Sequence, residues 1–342
     1  MASCTLAAAA SNGRRTLFPV LPLPIGPRPP FLQISLGKPK LRLDPLDVES
    51  MNGLVLIDKP GGFTSHDVVN RWRRIAHTKR AGHLGTLDPM ATGLLLVVTG
   101  NATRLARFFE KQTKTYEADI QFGFTSNTYD VEGDVCPVDA PLPDPARVHA
   151  ALDKFRGVFL QAPPPVSAKK IAGVPAYKLA RRNQPVELAP AQVEVLDVTV
   201  TDLHSNTLSI KVTVSAGTYI RSLAHDLGTV LGCGAILTCL RRTMCGDFCV
   251  EDARTLQVLE ALAREDRLAQ AVVPLASMLP EFPTAYVDAE TETHIRQGRN
   301  FRTSPFTITP GAPLVKAVSS SGELISIGEL KLPNVYHPML VL

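Results

Sequence analysis

Between Arg80 and Gly93 the chain reads Arg-Ala-Gly-His-Leu-Gly-Thr-Leu-Asp-Pro-Met-Ala-Thr-Gly, which sets one carboxylate, Asp88, in a glycine-rich loop behind a cationic segment. A carboxylate so placed can attack an electrophilic carbon or accept a proton. The five Lys or Arg residues from Arg71 to Arg80, with no acid among them, aim it at a polyanion. Gly82, Gly85 and Gly93 offer backbone conformations closed to other residues and close approach of a ligand. Pro89 biases Asp88 away from helical geometry, so its side chain is expected to leave a turn. An aspartate in an arbitrary loop usually caps its own backbone in an Asx turn. Here the flanking residues favour chemistry.

The run is similar to Gly-His-x-Gly-x-Leu-Asp-Pro-x-Ala-x-Gly, the signature around the catalytic aspartate of the TruB family of pseudouridine synthases. Four further blocks resemble that family in order and spacing, from about residue 51 to 255: Gly53-Leu-Val-Leu-Ile-Asp-Lys-Pro60 with Thr64-Ser65; Lys114-Thr-Tyr116; Gly217-Thr-Tyr-Ile-Arg-Ser-Leu223 with Asp226-Leu-Gly; and Gly232-Cys-Gly-Ala235 with Leu240-Arg-Arg242. The resemblance implies that Asp88 is the catalytic carboxylate and that Arg221 pairs with it, keeping it ionised and oriented. It implies that Tyr116 stacks on a flipped uracil and takes part in its proton transfer, and that Tyr219 bonds or packs beside it. His83 then fills the space the nucleotide vacates, and Leu240 walls the uracil pocket. Lys59, in the Asp-Lys-Pro turn, is expected to be structural or to touch phosphate, and Lys169 and Lys170 to meet the RNA backbone. One departure stands out: the family commonly has Thr-Asp-Thr-x-Asp where this chain has Ser126-Asn-Thr-Tyr-Asp130, so Asn127 replaces a carboxylate.

The implied activity is isomerisation of the T-arm uridine at tRNA position 55, by flipping the base out of its stack at a cost of a few kcal/mol. The reaction needs no redox equivalent or group donor, so no cofactor is expected. The sequence has neither Gly-x-x-x-x-Gly-Lys-Ser/Thr nor His-Glu-x-x-His. Cys233, Cys239, Cys245 and Cys249 lack the paired Cys-x-x-Cys spacing of a zinc knuckle and read as small hydrophobes. The expected partner is tRNA, with no obligatory protein partner and a monomeric state. Two alternatives remain: a guide-RNA-dependent relative working in a multi-protein particle, and a tRNA-folding chaperone that needs no chemistry.

The elements that must position these residues follow from periodicity. Leu54–Ile57 and Leu94–Val98 read as short buried strands and Thr115–Phe122 as an alternating one. Thr64 or Ser65 caps a helix to about His77 with Val68, Val69, Trp72 and Ile75 as its buried stripe. Shorter helices are expected over 104–109 and 146–155. The valine-rich stretch 192–215 breaks at His204-Ser-Asn and predicts a hairpin. Gly217 opens a helix through about Leu231, and 243–250 reads as a strand. Strands mixed with helices, without regular βαβ alternation, indicate an α+β fold, and the resemblance specifies the pseudouridine synthase fold with a mixed, mainly antiparallel sheet.

The expected organisation is a leader at 1–43, a catalytic domain at 51–278 and a small β-rich domain at 280–342, which resembles PUA-like RNA-binding domains. Residues 1–43 hold no Asp or Glu, six Lys or Arg and seven of the 28 prolines, the composition of an organelle transit peptide. Its Met-Ala-Ser start and its Ser, Ala and Pro favour the chloroplast, with the mitochondrion as alternative. Beyond it, 30 basic residues face 32 acidic ones, so net charge is no argument for nucleic acid; distribution is. Seven Lys or Arg and no acid lie between Lys154 and Arg182, whereas 117–153 holds eight carboxylates against Arg147. No apolar stretch is long enough to span a bilayer, so no membrane partner is expected.

Overall fold

The computed structural model describes residues 51–166, 170–171, 174–175, 189–304, 308 and 311–342. The leader 1–43 and Lys169 lie outside the described residues; of Lys170, the backbone place in the short strand Lys170–Ile171 is described.

A ten-stranded sheet carries the fold. Its main path runs through Val272–Pro274, Gly53–Lys59, Thr92–Thr99, Ala235–Cys245, Lys114–Phe122, Thr207–Val214, Ala191–His204 and Gly157–Gln161. Ala81–Leu84 adds to Thr92–Thr99, and Phe248–Cys249 folds back on Ala235–Cys245. One junction in this sheet is parallel, where Arg241 and Arg242 pair with Thr92 and Gly93. That seam places the residues just after Asp88 beside the Arg241–Arg242 backbone.

Gly93 makes the seam possible. It has φ +96°, and a Cβ there would lie 2.3 Å from the Arg242 carbonyl oxygen, an approach open to glycine alone. Gly85 also sits at positive φ, +76°. Gly82 does not; it is an ordinary residue of the strand Ala81–Leu84, and the special conformation expected of it is absent.

The strands Gly53–Lys59 and Thr92–Thr99 read as continuous apolar runs because both their faces are buried. Val55, Ile57, Leu95 and Val97 face a core shared with helices Ser65–Ile75, Ile220–Leu231 and Leu256–Arg264. Leu54, Leu56, Leu94, Leu96 and Val98 face a second core with Phe109, Met278, Leu279, Val318, Leu324 and Ile327. Val318, Leu324 and Ile327 belong to a C-terminal five-stranded sheet, in which Thr284–Tyr286, Leu314–Val318, Leu324–Leu332, Val335–Val341 and Phe301–Arg302 lie in that order.

Several elements differ from or go beyond their sequence expectation, helix Leu256–Arg264 and strand Gly157–Gln161 among them. Residues Gly100–Phe109 form a 3-10 helix that starts four residues before the short helix expected over 104–109. The strand expected at 243–250 starts earlier, at Ala235, and reverses at Gly246 with φ +55°. Helix Ala289–Arg296 was not expected at all. It has one buried residue, Ile295, so it shows almost no apolar period, and its Asp288 cap, which accepts from the Thr291 amide, was the legible signal.

Candidate active site

The loop bearing Asp88 is fixed on both sides. Ser65, the first residue of its helix and 2% exposed, accepts from the Leu87 amide at 2.8 Å and donates to the Leu87 carbonyl at 3.1 Å. The helix itself starts at Thr64 with a reciprocal capping box to Asp67, which fixes where Ser65 sits. On the other side, the Lys59 ammonium donates to the carbonyls of Phe63 at 2.6 Å, Pro60 at 3.0 Å and Pro89 at 3.1 Å. The Gly62 amide also donates to Pro89. Lys59 is fully buried, so of its two expected roles the structural one is what the geometry supports. Burial lowers its pKa to about 8, opposed by Glu132 and Asp88.

With the backbone held, the Asp88 carboxylate is directed to Arg221 and not into an Asx turn. Arg221 Nη2 donates to Oδ1 at 2.9 Å, and Nε lies 2.9 Å from Oδ2 as an ion-pair contact whose N–H is off line. Arg221 is 5% exposed. Its Nη1 donates to the Thr128 carbonyl at 3.1 Å and faces Asp130 Oδ2 at 3.4 Å, while Nη2 also reaches the Val166 carbonyl. One guanidinium therefore serves two carboxylates and two carbonyls.

The helix carrying Arg221 begins at Tyr219, whose side chain provides no cap. Gln161 substitutes from a neighbouring strand: its Oε1 accepts from the Tyr219 amide at 2.8 Å and its Nε2 donates to the Tyr219 carbonyl at 3.0 Å. Ser222 adds a bond to the Ala162 carbonyl. Tyr219 is thus half-buried at the helix mouth, two residues ahead of Arg221.

Burial raises the Asp88 pKa, and neighbouring Asp130 pushes the same way, while Arg221 and Lys59 oppose it. Glu132 is also raised, mainly by burial, with Asp130 and Asp88 contributing. Three carboxylates and two cations so close to one another make a site whose proton inventory is sensitive to every member.

Tyr116 lies on the strand next to Arg242, with which it is in register, and is buried. Burial raises its phenol pKa; Arg242, by charge and hydrogen bond, opposes this, and Asp88 adds to it. Arg242, 1% exposed, donates through Nε to the Leu94 carbonyl at 2.7 Å and through Nη2 to the Gly85 carbonyl at 2.9 Å. It thereby ties the Asp88 loop to the strand behind it. His83 is half-buried near the loop's start, 3.2 Å through Nε2 from Thr86 Oγ1. Burial, with His66 and Arg242, lowers its pKa and favours the neutral ring. Leu240 is buried in the same core cluster as Tyr116 and Leu87. Asp88 and Arg221 meet directly, and Tyr116 and Lys59 lie near enough for the Asp88 charge to act on both.

Asn127 does not stand where an acid would orient Arg221. It is exposed, and its amide exchanges two hydrogen bonds with Asp134, at 2.7 and 2.9 Å, closing its own loop. The acid that meets Arg221 is Asp130, buried and held by Thr128 Oγ1 at 2.6 Å and the Glu132 amide at 3.0 Å. Sequence reading quoted Asp130 only as the end of a motif and missed Ser65 and Gln161 as supports. A signal for Asp130 existed in the aspartate-rich run; none marks Gln161.

Residues 73–220 match the TruB family pseudouridylate synthase N-terminal domain, and residues 221–280 the tRNA pseudouridylate synthase B C-terminal domain. A tRNA pseudouridine synthase B from Solibacter usitatus is 51% identical over 85% of this chain and all of its own length. One from Burkholderia mallei is 39% identical over 77% of this chain and 87% of its own. Among solved structures, a chain of an H/ACA ribonucleoprotein bound to a substrate RNA containing 2'-deoxyuridine superposes with TM-score 0.64 at 23% identity, covering 85% of both chains. A chain of an archaeal box H/ACA complex gives 0.63 at 23%, covering 85% and 86%. At that identity the likeness shows the pseudouridine synthase fold alone.

Proposed function

Because the chain belongs to the TruB family of pseudouridylate synthases and is a tRNA pseudouridine synthase, an isomerase, we propose that it converts the T-arm uridine at tRNA position 55 to pseudouridine, with Asp88 as the reacting carboxylate. The single observation that carries the assignment is the contact between half-buried Asp88 and buried Arg221, held by clamps on both flanks of the loop. In the reaction the N1–C1′ bond breaks, the base turns, C5 bonds to C1′, and the C5 proton leaves as N1 gains one. Asp88 attacks the sugar or the ring, Arg221 orients it, and Tyr116 stacks on the flipped base and takes part in proton transfer. Tyr219 and Leu240 line the pocket and His83 fills the gap left in the stack. Lys169 and Lys170 meet the RNA backbone, and the C-terminal sheet is a further RNA-binding surface.

The deciding experiment uses the purified chain and a T-arm stem-loop, read by carbodiimide labelling because uridine and pseudouridine have equal mass. Wild type modifies the stem-loop without guide or protein partner; Asp88→Asn binds it and does not. A wild-type chain that needs a guide RNA supports the particle reading instead, and an active Asp88→Asn removes the assignment. The leader supports import into the chloroplast; residues 1–43 fused to a fluorescent protein report the compartment, and cytosolic fluorescence refutes import.

A further inference from the structure

We propose that His225 and Tyr129 form a stacked clamp that positions Arg221, and through it Asp88, an inference that rests on the reading of that pair given above. His225 is one helical turn after Arg221, so the two project from the same face of helix Ile220–Leu231. The rings of His225 and Tyr129 lie face to face, with centroids 3.8 Å apart and planes 9° from parallel. Tyr129 is flanked by both groups that Arg221 Nη1 meets, the Thr128 carbonyl and the Asp130 carboxylate. Two rungs of one helix therefore hold three consecutive residues.

The segment is held from within by the Tyr129 amide, which donates to the Ser126 carbonyl at 3.1 Å, and by Thr128 Oγ1, which bonds Asp130; on the side away from the helix it is held by backbone bonds to Leu237. The Leu237 amide donates to the Tyr129 carbonyl at 3.0 Å, and the Val131 amide to the Leu237 carbonyl at 3.2 Å. The Leu237 bonds set the segment's height along the strand, the Ser126 bond closes its turn, and the ring of Tyr129 is the part of it that reaches the helix. Tyr129 has φ +66°, a left-handed conformation that side chains with a Cβ resist. Relaxing that angle swings the peptide between Thr128 and Tyr129, which carries the carbonyl Arg221 binds. The stack on His225 opposes this motion. Burial also lowers the His225 pKa against the pull of Asp226, so the ring meets Tyr129 as a neutral aromatic face.

Four variants of the full chain, on the T-arm stem-loop, test the clamp: His225→Ala, His225→Phe, Tyr129→Asn and, in parallel, Asp88→Asn. Tyr129→Asn removes the ring and keeps a residue that tolerates positive φ. His225→Ala and Tyr129→Asn are expected to slow single-turnover conversion roughly ten- to a hundredfold with stem-loop Kd unchanged, and to move the acid limb of the rate to higher pH as Arg221 loosens from Asp88. His225→Phe restores rate and limb. Wild-type rates and an unmoved limb in His225→Ala or Tyr129→Asn, with Asp88→Asn inactive, overturn the clamp alone. His225→Phe as slow as His225→Ala overturns it too. An active Asp88→Asn overturns the site reading and the clamp with it. Should His225→Ala not fold, Tyr129→Asn decides.

Discussion

Asp88 carries a conflict between function and stability. Its folded-state pKa lies above the ordinary aspartate value of about 3.9, so the ionised form that attack requires costs the fold free energy at neutral pH. The sign follows: that cost is full above the raised value and fades as pH falls toward the ordinary one. The acid limb of kcat/KM is therefore expected above pH ~4, and Asp88→Asn is expected to melt no lower than wild type. Arg221→Lys replaces a fork that meets two carboxylates with a point charge. The limb then moves further up and the rate falls by roughly a hundredfold. A pH-rate profile of wild type and Arg221→Lys checks both points; coincident limbs would refute the role of Arg221 in holding the charge.

Among elements, helix Ser65–Ile75 has two jobs. Its stripe of Val68, Val69, Trp72 and Ile75 packs in the core, and its first residue grips the loop beside Asp88. Ser65→Ala leaves the stripe intact but strips the Leu87 amide of its buried partner, a loss of about 1–3 kcal/mol. Thermal denaturation should show that loss, and single-turnover assays a slower rate with unchanged stem-loop affinity. Stability within about 0.5 kcal/mol of wild type would mean that the loop holds itself. The helix's stripe and cap were readable from spacing and residue type. The bond from Ser65 to Leu87 was not, because it joins residues 22 positions apart through a fold that no local pattern specifies.

On the scale of the molecule, the second core joins the two sheets. Leu54, Leu56, Leu94, Leu96 and Val98 from the large sheet pack with Val318, Leu324 and Ile327 from the C-terminal one. Arg104 adds a hydrogen bond to the Val341 carbonyl, and buried Lys316 donates to the Ala276 carbonyl at 2.8 Å. Removing residues 280–342 takes Val318, Leu324 and Ile327 out of that core and uncovers part of one face of two strands of the large sheet. The shortened chain is expected to unfold at lower urea or to aggregate, since this burial contributes about 25 cal/mol per Å² of apolar surface. An unchanged urea midpoint would show that the large sheet stands alone.

Chemistry-bearing residues and the strands behind them were legible in the order of the chain. The loop around Asp88, the stripe of the first helix, the hairpin of 191–214 and the apolar runs at 53–59 and 92–99 each follow from patterns a few residues long. Local sequence determines these because turn geometry, capping and side-chain period act over one or two turns of backbone. What only the tertiary structure decided is which groups meet across the sheet. Asp130 and not Asn127 faces Arg221, Gln161 substitutes for a helix cap, and Arg242 reaches back to Gly85. The last of these lies at the parallel seam between strands far apart in sequence, the others where loops and strands distant in the chain come together, and strand order is set by the packing of both faces at once, which no segment encodes by itself.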